Sequence, residues 1–333
     1  MTPHPRFSVV IPNMNGGDTL RETLKSIFSI GYQGMEVIVV DDASSDNSPL
    51  IADEFPVRLI RHDLHRGAAA SRNDGAAAAR GEILLFLDAD IIIPPDTFRI
   101  IERQLSDPTI SGVIGLLQPV TRFKGFCSQY KNYYMHYAYL KLPDRVSVFY
   151  TSIAAIRKEV FDRCGGFENA YRGATIEDLE FGLRVTEQGY RIILDKNLQV
   201  EHLKKYGPAA ILKTGFLRAS GVAKIMLRDR IRRRNQSVYH TAPASFIGGI
   251  ILAVGVLLLL PGVIFTGSLY SYLAALICYI VIIILNAGLL IGLAQHTRPS
   301  YFFLGSGMIF LDLIGHGMGI VYGTMSYLRG KRY

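Results

Sequence analysis

The sequence predicts an α/β protein with a mostly parallel sheet, followed by a basic amphipathic segment and a helical membrane region. Three observations carry that expectation. Short apolar runs alternate with helical patterns from residue 7 to about 205, as in sheets built with right-handed crossovers. Three of those runs end on polar residues, at Pro12-Asn13, Asp41-Asp42 and Asp88-Ala89-Asp90. From Pro243 onward the chain turns apolar in three long stretches, each near the roughly 20 residues that cross a bilayer.

Taken in order, Phe7–Ile11 reads as a short strand broken by Pro12, and Thr19–Ile30 has helical spacing through Leu20, Leu24, Ile27 and Phe28. Glu36–Val40 is a second buried strand, followed by Ser44, Ser45 and Asp46 as helix-start candidates. Val57–Ile60 is a third strand, and alanine-rich Ala68–Ala79 is a helix stopped by Gly81. Ile83–Leu87 is fully apolar and reads as a buried strand. Thr97–Leu105 looks helical. The tyrosines of Gln129–Leu142 suit either stacking on a sugar or, more often, packing on a neighbour. Phe149–Ile156 reads as a strand, and Thr175 as the cap of a helix whose first turn holds Glu177, Asp178 and Glu180. Tyr190–Leu194 and Leu198–Val200 are closing strands, with His202 just beyond.

Asp88 and Asp90 are the focus of the catalytic half. In an open parallel sheet, ligands bind beyond the carboxyl ends of the strands. Two hard oxygen donors there suit Mg²⁺ or Mn²⁺, ions that usually accompany phosphates. An acidic turn capping a helix is the competing reading of an isolated Asp-x-Asp. Two further strand ends on the same edge weigh against it.

Charge is concentrated. The net charge is +8, yet residues 202–234 hold ten Lys or Arg and a single acid, Asp229. Leu212, Phe216, Ala219, Ala223 and Met226 recur at helical spacing in that belt, which predicts a basic amphipathic helix in the headgroup region. The belt abuts a span, so a bilayer rather than nucleic acid is the expected partner. Residues 206–240 thus form an interfacial segment between a domain at 1–205 and a membrane region at 241–333, with spans at about 245–265, 269–294 and 302–325. The Arg-rich run before the first span predicts a cytoplasmic catalytic domain in the plasma membrane. Three spans would put Arg329-Gly330-Lys331-Arg332 outside, against the charge rule; a re-entrant third segment would return it inside. Met1–Arg6 has no signal-peptide pattern, and Cys127, Cys164 and Cys278 are spaced for neither a disulfide framework nor a zinc site.

The motif order is informative beyond any single motif. Val-Val-Ile-Pro-Asn (9–13) precedes Val-Val-Asp-Asp-Ala-Ser-Ser-Asp (39–46), then Gly67-x-x-x-Ser71-Arg72-Asn73 and Gly81-Glu82. Phe86-Leu87-Asp88-Ala89-Asp90, Gly165-Gly166-Phe167-Glu168 and Glu177-Asp178-x-Glu180 with Arg184 follow. In this order the motifs resemble the family 2 glycosyltransferases, whose fold is GT-A, over residues 7 to about 205.

The resemblance implies a nucleotide-sugar donor held by Pro12, Asn13, Asp41 and Asp42, with Gly67 and Arg72 bordering the diphosphate. It implies that Asp88 and Asp90 are the metal-binding Asp-x-Asp, Asp88 also bordering the nucleotide, and that His202 is a further metal or diphosphate ligand; a surface histidine at a strand end is the alternative. Asp178 would be the catalytic base and Glu177 would lie on the acceptor side. The implied activity is inverting, Mg²⁺- or Mn²⁺-dependent transfer of one sugar, from a UDP-linked donor to a lipid-linked or membrane-associated acceptor. Asn13-Met14-Asn15 departs from the family's usual Thr-Tyr-Asn and leaves the nucleobase open. The chain has no tryptophan, so the Gln-x-x-Arg-Trp motif of processive synthases is absent. A polyprenyl-phosphate glycosyl synthase is the nearest rival. A membrane scaffold or transporter with a degenerate, non-catalytic sugar-nucleotide domain is the alternative from another class.

Overall fold

A computed structural model describes residues 5–170, 176–232 and 244–331. The chain forms two compact units, Met1–Thr121 with Ala138–Lys204, and Arg122–Tyr137 with Lys205–Tyr333.

The first unit begins β1 (Phe7–Asn13), α1 (Leu20–Ser29), β2 (Met35–Asp41), α2 (Ser48–Asp53), β3 (Arg58–Arg61), α3 (Ala68–Ala78) and β4 (Ile83–Leu87). It continues with β5 (Ile91–Ile92), α4 (Thr97–Leu105) and β6 (Gly112–Leu117); α5 (Phe126–Leu140) straddles both units. It closes with β7 (Arg145–Val146), β8 (Ile153–Arg157), α6 (Lys158–Arg163), α7 (Glu177–Glu187) and β9 (Ile192–His202).

The strands form one sheet in the order β3-β2-β1-β4-β8-β6-β9-β5, with β7 on β9. β3, β2, β1 and β4 are all parallel, so their carboxyl ends, Asp41 and Leu87-Asp88 among them, share an edge. β8 runs antiparallel between β4 and β6.

Two sequence expectations shift for physical reasons. Pro12 does not end β1: it pairs with Val40 of β2, while pairing to β4 stops at Val10, so the missing N–H leaves no ladder bond unmade on that side. The two closing strands are one strand, β9, with an irregularity between the residues that face Ile114 and Leu116. Asp195 accepts from the Asn197 amide at 2.9 Å inside that irregularity. The cap assigned to Thr175 lies outside the described residues.

The core beneath the shared edge is aromatic. Phe86 of β4 lies 5.2 Å from Phe167 and 5.3 Å from Phe161, ring centre to ring centre, and Phe167 lies 4.7 Å from Phe181 of α7. Truncating a buried phenylalanine of this kind costs about 3–5 kcal/mol. The cluster therefore fixes where α7 sits against the strand ends.

The second unit adds α8 (Pro208–Arg232), α9 (Ala244–Thr266), α10 (Leu269–Leu285), α11 (Ala287–His296) and α12 (Tyr301–Leu328). α9 and α12 are long and apolar enough to cross a membrane; α10 and α11 are so only if taken together, and they meet at a 62° bend. The break at Asn286 interrupts the segment that the sequence presents as one uninterrupted span. Tyr130 and Tyr133 of α5 are buried in this unit's core with Ile211, Leu290, Leu293 and Leu313, which is the packing role for that tyrosine stripe.

Candidate active site

The strand-end edge is built by local hydrogen bonds. Asn13, at the end of β1, donates from Nδ2 to Asp41 Oδ1 at 2.9 Å and to Ser48 Oγ at 2.8 Å, tying β1 to β2 and to the start of α2. Asp42 accepts from the Gly67 amide at 2.7 Å and the Arg66 amide at 2.8 Å. His62 Nδ1 lies 2.8 Å from the same carboxylate, and His65 Nδ1 lies 2.7 Å from it. Burial pushes the Asp42 carboxyl up, but His62, the two amides and His65 together hold it below the ordinary value. Asp41 and Asp42 are both buried and satisfied from within, so they shape the loops around Asn13 and Gly67. Gly67 caps α3 at φ 93°, a conformation that favours glycine.

α3 carries Arg72 into the centre. The guanidinium is 3% exposed and spans two carboxylates: Nη1 donates to Glu177 Oε1 at 2.9 Å and Nη2 to Asp88 Oδ1 at 2.8 Å. Its carbon lies 5.7 Å from the Phe167 ring centre. Burial alone would weaken its hold on the proton, but Asp88, Glu177 and Asp178 outweigh that and raise its affinity.

Asp88 Oδ2 accepts from Ser152 Oγ at 3.0 Å, so both oxygens of Asp88 are engaged. Asp90 faces elsewhere. The β5–β9 pairing sets Ile91 opposite His202, and His202 Nε2 lies 3.3 Å from Asp90 Oδ2. Burial raises the Asp90 carboxyl; the His202 hydrogen bond, the His202 charge and Lys204 more than offset it, and the net shift is downward.

α7 supplies the remaining acids from its first turn. Glu177, expected on the acceptor side, is 3% exposed and turned inward on Arg72, where it accepts from a second arm of the guanidinium. Asp178 is half-buried and accepts from the Leu179 amide at 2.7 Å. Glu180 points to Arg184 at 2.8 Å, and Arg184 donates to the Gly166 carbonyl at 2.8 Å. That pair anchors the Gly165-Gly166 turn, whose residues have φ of 79° and 66°. Asn73 closes the same turn, donating to the Phe167 carbonyl and accepting from its amide, both at 2.8 Å.

The structure brings the expected residues together in separate groups: Asn13–Asp41, Asp42–Gly67, Arg72 with Asp88 and Glu177, and Asp90 with His202. Ser152, His62 and Lys204 are participants that the sequence did not single out. Ser152 lies one residue before β8, and its only signal is a polar residue at the mouth of an apolar strand. Among the described residues, no three side chains of metal-ligating type converge. Asp90 and His202 do meet. The Asp90 carboxylate fits an ion that fills its other positions with water and phosphate oxygens, as Mg²⁺ does, while the His202 nitrogen suits Mn²⁺ better than the harder Mg²⁺.

Comparison with known proteins agrees with this fold. The mannosyltransferase PcManGT from Pyrobaculum calidifontis, solved with GDP-Man and Mn²⁺, superposes with a TM-score of 0.59 at 23% identity, covering 96% of this chain and 88% of that one. The fold is GT-A. The family model for glycosyl transferase family 2 matches residues 8–165, and one described as the N-terminal domain of galactosyltransferase matches residues 131–206. The chain carries a family 2 glycosyltransferase domain. The glycosyltransferase GlyG of Streptococcus pneumoniae is 35% identical over 114 residues, which are 33% of this chain and 38% of GlyG. The pre-mycofactocin glycosyltransferase of Mycobacterium tuberculosis is 28% identical over 277 residues, 75% of this chain and 52% of that protein. The chain thus spans about two fifths and one half of the lengths of these two relatives.

Proposed function

We propose that the protein transfers one sugar at a time, with inversion, from a nucleotide-sugar to a membrane-associated, lipid-linked acceptor. The observation that supports this best is the division of labour among the acids at the strand ends. Asp88 and Glu177 are locked on Arg72, Asp90 is paired with His202, and Asp178 is a half-buried acid in the first turn of α7.

Asp90 and His202 would hold a Mg²⁺ or Mn²⁺ ion. Bound there, the ion supplies charge neutralisation for the departing nucleoside diphosphate. Arg72 keeps Asp88 and Glu177 in place, and through Asp88 it fixes the loop that presents Asp90. Asn13 and Asp41 order the loop expected to border the nucleobase. A hydroxyl acceptor is a poor nucleophile, and Asp178 would take its proton as the new bond forms. Attack on the face opposite the diphosphate inverts the anomeric carbon. The absence of tryptophan supports a single addition per cycle, because the processive motif requires one.

The basic belt and the apolar helices support a membrane location with the catalytic unit in the cytoplasm. A UDP-linked donor is the reading carried by the family resemblance. The test is to incubate membranes containing the protein with a panel of labelled nucleotide-sugars and divalent metal, then to extract the lipids. Label entering the lipid fraction from one donor supports the proposal. Label that appears only in free sugar, or in long polymer, contradicts it.

A further inference from the structure

The second unit contains two helix pairs with different surroundings. α9 and α10 form a hairpin, closed at its tip where a Cβ on Gly262 would meet Ser271 Oγ at 2.4 Å. No charged residue occurs between Ala244 and Gln295. The described contacts of α9 and α10 with α12 sit toward the base of the hairpin. Phe246 packs edge-on against His316, Gly249 against Leu313, Ile250 against Gly317, and Tyr279 donates or accepts at Ser306 at 3.0 Å. Beyond them the hairpin's large side chains are open: Leu258 is 75% exposed, Phe265 83% and Tyr270 86%.

α12 instead runs in step with α8. A Cβ on Gly319 would meet the Phe216 carbonyl at 2.3 Å, and one on Gly323 would meet the Ser220 carbonyl at 2.3 Å. One further turn back, Gly315 faces Leu212 at 3.8 Å. The numbers rise together on both helices, so the two are parallel, and small residues let their backbones touch over three turns. After burial, Lys331 is the next influence that lowers the proton affinity of Lys224, in keeping with the end of α12 lying alongside α8.

This pairing conflicts with α12 as a span. α8 carries Lys213, Arg218, Lys224, Arg228, Arg230 and Arg232, a set that hydrocarbon does not tolerate. A helix packed in register with it shares its depth. Asp312 and His316, 3.3 Å apart and buried, lie near the midpoint of α12, where a spanning helix would be deepest. Leu304, Leu311, Met318 and Met325 recur every seven residues on α12 and are exposed, an apolar stripe suited to a helix lying in the membrane plane.

We infer that only the α9–α10 hairpin crosses the bilayer, while α8 and α12 lie together in the cytoplasmic headgroup layer, so that the C-terminal Arg329–Arg332 is cytoplasmic. The partner of this surface is an anionic lipid leaflet, met by the cations of α8 and the apolar stripe of α12. The inference rests on the membrane location proposed above, and it restores the positive-inside pattern at the tail.

The test uses the full-length chain in intact cells, with Ser268→Cys at the hairpin tip and Lys331→Cys at the tail. The wild type, with Cys127, Cys164 and Cys278, sets the background for a membrane-impermeant maleimide. Retention of the chain in carbonate-washed membranes is measured first; its loss would refute the membrane location itself, whereas a failure of sugar transfer would leave the topology standing. Ser268→Cys is expected to gain label in intact cells, and Lys331→Cys only after permeabilisation. Labelling of Lys331→Cys in intact cells, or its protection in both states, overturns the inference. So does a Ser268→Cys thiol that reacts only after permeabilisation or denaturation.

Discussion

Arg72→Met removes the guanidinium that joins α3, β4 and α7. Glu177, with a side chain 4% exposed, would then lose its guanidinium and keep the Ile176 amide, while Asp88 would keep Ser152 and partial exposure. Breaking a buried pair from one side costs about 3–5 kcal/mol. For a domain of this size that is a fall in Tm of roughly 6–20 °C. Thermal unfolding in detergent, followed by tryptophan-free probes such as far-UV circular dichroism, reads the shift. Arg72→Met with Glu177→Leu removes the stranded charge, and it should regain part of the loss because residues in direct contact couple by about 0.5–3 kcal/mol. A single variant that melts within a degree or two of wild type would refute the reasoning. So would a double variant no more stable than the single one.

Three further outcomes are expected. Asp178→Asn should lower turnover about 10²–10⁴-fold, the usual contribution of a general base, with the chain still folded and in the membrane; near-wild-type turnover would point to an acceptor that is already an anion, such as a polyprenyl phosphate. Asp42 and Asp195 both have carboxyls held below the ordinary value, despite burial that raises them. Their stabilisation is complete above the unfolded value of about 3.9 and is lost as pH falls through the depressed folded values. Tm should therefore drop below about pH 4, and Asp42→Asn should flatten that drop. Gly319→Leu drives a side chain into the Phe216 carbonyl, 2.3 Å from where Cβ would stand, so α8 should become protease-sensitive while donor hydrolysis by the catalytic unit persists.

Much of the catalytic half was legible because its signals are local. The apolar run Ile83–Leu87 ending on Asp88 is a buried strand with a polar end, and the parallel order of β1, β2 and β4 follows from the alternation with helices. Pairings between distant residues were not legible. Glu177 and Asp178 are adjacent in sequence, and nothing local indicates that the first is buried on Arg72, 105 residues away, while the second is half-exposed. Ser152 on Asp88 and His62 on Asp42 are similar cases, since tertiary contact alone gives a serine or histidine its partner. In the second unit, Leu269–Ala294 has the composition of an unbroken span, and composition does not encode the bend at Asn286. The stripe read on α8 caught Ala219 and Ala223, which are buried, but Met226 is 41% exposed. The face that packs is the smaller one, Gly215, Ala219 and Ser220, which hydropathy does not mark.

The most direct measurement is metal-dependent transfer of labelled sugar into extracted lipid by membranes carrying wild type or Asp90→Ala. Asp90 is paired with His202 at the open end of the strand edge, and it takes no part in the Arg72 cluster. Wild type should transfer sugar with Mg²⁺ or Mn²⁺ and stop on chelation. Asp90→Ala should reach the membrane, melt near the wild-type temperature and transfer nothing. A folded Asp90→Ala protein that transfers sugar at the wild-type rate, with the same response to metal, would contradict the assignment.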